Sequence, residues 1–87
     1  MTELHTRYDR RADVLYLFTD ENSPAVAYED ELGIVWRYVN GRHLVGATVI
    51  DFHELWADRL DELASALAKG FRLPAKRTEK VLAKAYA

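Results

Sequence analysis

Residues 34–50 read IVWRYVNGRHLVGATVI, two runs rich in β-branched and aromatic residues on either side of Asn40-Gly41. That pair tolerates the positive φ values of a two-residue hairpin turn, so the stretch reads as strands Ile34–Val39 and Arg42–Ile50. With Asn40 and Gly41 as the loop, Val39 faces Arg42 and Trp36 faces Val45. Ile34, Trp36, Val45, Ala47 and Val49 then share one face. The other face keeps Val35, Val39, Leu44 and Ile50, and a sheet apolar on both sides needs two covers.

Toward the N-terminus, Leu4–Tyr8 and Val14–Thr19 flank Asp9-Arg10-Arg11-Ala12-Asp13, whose two Asp side chains can bond local backbone, so a second hairpin is expected. Asp20–Pro24 is a loop by composition. Ala25–Asp30 follows as a strand with Val26 and Tyr28 on one face, and Glu31-Leu32-Gly33 turns the chain into the central hairpin. Toward the C-terminus, Asp51 and Glu54 have the spacing of an N-cap and its reciprocal partner. A helix is expected from Phe52 to Lys69, with Trp56, Leu60, Leu63 and Leu67 on one stripe and Gly70 as its stop. Pro74 suits the first turn of a second helix running to Tyr86. Its short apolar side is Val81, Leu82 and Ala85. The fold class is therefore α+β: one domain, with an antiparallel sheet of four or five strands over 1–51, a packing helix over 52–69 and a basic helix over 74–86.

Charge is divided unevenly along the 87 residues. Residues 1–68 carry six basic and thirteen acidic side chains, and residues 69–87 carry six basic and one acidic. The net charge of -2 argues against a generic nucleic-acid binder. The chain has no cysteine, so neither disulfide nor thiolate chemistry is available. The polar opening MTELHTRYDRR leads into no apolar run longer than Val14–Phe18, which points away from a signal peptide or membrane span and toward the cytoplasm.

Tyr8-Asp9-Arg10-Arg11-Ala12-Asp13-Val14-Leu15-Tyr16 resembles the opening of the prokaryotic family known as domain of unknown function 2283. The resemblance continues through Val26-Ala27-Tyr28-Glu29, Gly33-Ile34-Val35 with Tyr38, and Leu44-Val45-Gly46 to Ile50-Asp51, covering roughly Arg7 to His53. Arg11 stands where members usually carry Glu, and Val39-Asn40-Gly41-Arg42 replaces an Asp-x-Asp-Gly type of turn. The resemblance implies a small antiparallel sheet followed by a helix, with no established activity. Some members look like antitoxin-type partners of small toxin-like proteins.

No nucleophile–base pair is dictated by spacing, and no catalytic residue, metal ligand or cofactor is assigned. Asp51, His53 and Glu54 have metal-ligand chemistry, but Asp51 and Glu54 are already assigned to the helix start. A small hydrolase or ribonuclease using His43 or His53 with a nearby Asp or Glu is one alternative. A structural subunit of a larger assembly is another. Tyr16, Tyr28, Tyr38 and Trp36 could stack bases, but too few cations stand among them, which favours core or dimer packing. Trp36, Tyr38, Val35 and Leu44 are the expected core or dimer face, and a homodimer is the expected assembly. The sharpest signal is the C-terminal helix, where Lys76, Lys80 and Lys84 lie four apart with Arg77 alongside. Three uses compete for these residues: packing on the chain's own acidic body or on a second subunit, binding an acidic protein, and, less favoured, touching nucleic-acid phosphates. The expected role is a non-catalytic, antitoxin-like interaction module whose basic helix is mobile.

Overall fold

The computed structural model describes residues 4–21 and 23–86; Asn22 of the expected DENSP loop lies outside them. Five strands form one antiparallel sheet: β1 (His5–Asp9), β2 (Val14–Phe18), β3 (Val26–Glu29), β4 (Ile34–Val39) and β5 (His43–Ile50). Their spatial order is β1-β2-β5-β4-β3, so the two terminal hairpins meet through β2 and β5. Three helices follow: α1 (Phe52–Trp56), α2 (Leu60–Phe71) and α3 (Ala75–Tyr86).

Asn40 and Gly41 are the central residues of the β4–β5 turn, with φ of 56° and 70°, and Arg42 N–H donates to Val39 O at 3.3 Å. The pairing differs from expectation in two steps. Val39 faces His43 rather than Arg42, and a bulge beside Arg37 and Tyr38 then shifts the ladder again, so Trp36 faces Ala47 rather than Val45. Two one-residue shifts restore the original parity, because side chains alternate with a period of two. Ile34, Trp36, Ala47 and Val49 are accordingly buried on one face, as the pattern predicts, but between the two shifts Leu44 crosses to that side and Val45, buried outside that core, leaves it.

Against that face lie Phe52 and Trp56 of α1, Leu63, Ala64 and Leu67 of α2, and Leu82 of α3, joined by Leu15 and Leu17 of β2. Each large apolar side chain removed from water contributes about 1.5–3 kcal/mol. The stripe of Trp56, Leu60, Leu63 and Leu67 therefore does face the core, yet one continuous helix over 52–69 does not form. The chain breaks after Trp56, and Arg59 leaves helical geometry with φ −135° and ψ 34°. Arg59 spans the corner, its guanidinium 4.6 Å from the Trp56 ring and bonded to Glu62.

Gly70 is not the helix stop. It lies inside α2, where a Cβ would fall 2.5 Å from Cζ3 of Trp36, so any side chain there must displace the indole. The stop is Arg72, left-handed at φ 58° and ψ 45°, whose N–H donates to Ala68 O. Pro74 then opens α3, its carbonyl accepting the N–H of Arg77 and Thr78. α3 packs against the core. Leu82 and Thr78 are buried, and Val81 and Ala85 pack against the core.

Candidate functional site

At one end of the sheet the β1–β2 turn meets the start of α1. Asp9 Oδ1 accepts the N–H of Arg11 and Ala12, the local turn expected of it. Asp13, with φ 57°, does something else. Its carbonyl accepts Phe52 N–H at 2.9 Å, its Oδ1 accepts His53 N–H at 2.8 Å and the Tyr8 hydroxyl at 2.7 Å, and its Oδ2 accepts Glu54 N–H at 3.1 Å. Asp13 therefore caps α1 from a turn forty residues away. Asp51, the expected cap, is left-handed at φ 55° and its side chain makes no capping bond. The physical reason is that the reversal from β5 into α1 turns the Asp51 backbone away from cap geometry, while β2 pairing with β5 sets Asp13 beside the free N–H groups.

Desolvation raises the Asp13 carboxyl pKa, but the hydrogen bonds from Tyr8, His53 and Glu54 and the charge of His53 prevail and hold it below the usual carboxylate range. Carboxylate oxygens of Asp13, Asp51 and Glu54 lie within 4.8 Å of one another. The arrangement can bind a hard cation in principle, since such ions take clustered oxygen ligands. Its present work is structural, because Asp13 already accepts three hydrogen bonds.

His43 and His53 stand at opposite ends of the sheet, so no site uses both; His43 begins β5 and His53 follows its end. The expected core or dimer face is divided. Trp36 is buried beneath the helices, Tyr38 and Leu44 pack half-buried on the same side, and Val35 lies on the opposite, open face. That face has no helix over it. Phe18 and Ile50 remain about two-fifths exposed there, with Arg7 over the Tyr16 ring at 4.7 Å and Arg37 exposed. Tyr28 and Val26 lie on the helix side but at the uncovered β3 edge, so the four expected stacking aromatics share no platform.

On α3, Lys76, Lys80 and Lys84 are exposed, and none makes an ion pair with another described residue. Arg77 is half-buried beside them. The helix docks through its apolar side. Sequence reasoning missed the Tyr8–Asp13 bond and the cap at long range; the available signal was the pair spanning the β1–β2 turn. Comparison with family models, curated proteins and solved structures gives no match.

Proposed function

We propose that this domain is a non-catalytic interaction module that engages an acidic protein surface through Lys76, Lys80 and Lys84. The observation that carries the reading is how α3 docks. Leu82, Thr78, Val81 and Ala85 hold it, and the lysine stripe is left exposed and makes no ion pair with another described residue. Two like-charge i,i+4 pairs oppose helix formation by about 0.2–0.5 kcal/mol each. The stripe runs about 12 Å along the helix, matched to a row of carboxylates. An antitoxin-like role, suggested by the resemblance to domain of unknown function 2283, fits within this reading. Removing α3 would uncover the core around Leu82, so the test is the triple variant K76Q/K80Q/K84Q. Its fold should be unchanged by circular dichroism, and a salt-sensitive protein companion co-purifying with the wild type should be lost. A companion retained by the variant at the same salt concentration would overturn the reading.

A second reading rests on the acidic corner. A small hydrolase or ribonuclease would use His53 beside the cluster of Asp13, Asp51 and Glu54, whose three carboxylates lie close enough among the described residues to share a metal ion. A divalent cation there would supply water activation. Turnover of RNA, DNA or ester substrates with added Mg²⁺ or Mn²⁺, lost in Glu54→Gln and His53→Ala, supports this reading. No turnover with either metal removes it.

A further inference from the structure

At the opposite end from the acidic corner, a cleft of about 650 Å³ opens between the β4–β5 turn and the segment joining α2 to α3. Leu44, Tyr38 and Phe71 pack against the core and form its apolar and aromatic wall. Arg42 and His43 line it from the turn, and Lys69 and Arg72 from the last turn of α2. Among the described residues no carboxylate lines it, in a chain where acidic residues outnumber basic ones.

Helix-end electrostatics account for part of this. Lys69 and Arg72 complement the partial negative charge at the end of α2. They do not account for Arg42, which arrives from a different element, nor for the identity of residue 72. The backbone there is left-handed, a conformation that favours glycine, and an arginine holds it instead. The left-handed backbone ends α2, but the arginine side chain adds nothing visible to that: it makes no ion pair with a described residue and is exposed at the cleft. Sparsely populated backbone states of this kind concentrate where a side chain must be presented to a ligand. The Tyr38 hydroxyl, also in the lining, has no hydrogen-bond partner among the described residues and supplies a polar handle on an aromatic wall.

We propose that this cleft binds a nucleoside monophosphate, with the phosphate held by Arg42, Lys69 and Arg72 and the base against Tyr38 and Phe71. Three cations from two elements suit a dianionic phosphate, which arginine can engage through two parallel hydrogen bonds. The volume falls in the range of small-ligand sites, and the two rings offer the flat apolar contact that a base takes and a bare anion does not. The site is separate from the lysine stripe of α3.

The experiment titrates the full chain with AMP, GMP, CMP, UMP and inorganic phosphate by calorimetry, alongside Arg72→Gly, Arg42→Gln and K76Q/K80Q/K84Q. At least one nucleotide should bind saturably and more tightly than phosphate. Arg72→Gly should weaken it by about ten- to a hundredfold, the loss of a charged hydrogen bond, while its thermal midpoint holds or rises. Arg42→Gln should weaken it comparably, and the lysine variant should bind as the wild type does. The proposal falls if no nucleotide saturates, if phosphate binds as tightly as the nucleotides, or if either arginine variant retains full affinity. Loss of binding in the lysine variant alone would also overturn it, by placing the nucleotide on α3.

Discussion

The two ends of the sheet handle charge in opposite ways. At the β1–β2 end, carboxylates are consumed by the fold: Asp9 closes its own turn, and Asp13 ties the hairpin to α1 through backbone donors and Tyr8. At the β4–β5 end, Arg42, Lys69 and Arg72 surround a cleft and make no ion pair with any described carboxylate. A charge that satisfies backbone groups is explained by stability. A charge held in strained backbone with nothing to satisfy calls for an explanation outside the fold.

The largest effect that can break this comparison is at Asp13. Asp13→Ala removes the acceptor for two helix N–H groups and a tyrosine hydroxyl and should lower stability by about 2–3 kcal/mol in urea unfolding. Asp13→Asn, which accepts the left-handed φ and keeps one carbonyl acceptor, should fall between. The pH dependence has a defined sign. A carboxyl whose folded pKa is depressed stabilises fully above its unfolded pKa near 3.9, and that stabilisation disappears as pH falls through the folded value. The gap between wild type and Asp13→Asn should therefore be constant from about pH 5 to 7 and close below about pH 4. A gap unchanged at pH 3 would mean that Asp13 acts by shape alone.

Gly70→Ala comes next. Its Cβ would press on the Trp36 ring, at a cost of about 1–3 kcal/mol, partly offset by the better helix propensity of alanine. A net loss of about 1–2 kcal/mol is expected in the same assay. Arg72→Gly should act in the other direction, raising stability by about 0.5–1 kcal/mol through relief of left-handed strain. A loss instead would show that the arginine does serve the fold, and would dissolve the contrast between the two ends. The smallest effect is at Glu62→Gln. Its bond to Arg59 lies in solvent, and no change in thermal midpoint beyond error is expected.

What the sequence revealed follows the range of the interactions involved. The Asn40-Gly41 turn, the helical stripe and the apolar alternation are local, and they survive in the structure except that the shifted register exchanges Leu44 and Val45 between the faces. The Asp13 cap depends on a partner forty residues away, and Asp51-x-x-Glu54 mimics a cap at the place where the real one docks. Gly70 looks like a stop because glycine commonly ends helices, yet Trp36 sets its identity from across the core. The break after Trp56 is hidden by a stripe whose spacing runs straight through it. The basic residues of the cleft were visible only as scattered charges, since Arg42 and Arg72 meet through the fold and not through any motif.

The paired shifts in the β4–β5 ladder bear on how this chain can vary. The turn and the bulge each displace the pairing by one residue, and only together do they leave Ile34 and Trp36 on the helix side. Deleting a single residue between 39 and 45 would turn the β4 surface outward relative to β5, and deleting two would leave it in place. Length variation in this hairpin is therefore expected in even steps, with single-residue indels surviving only where a bulge is gained or lost beside them.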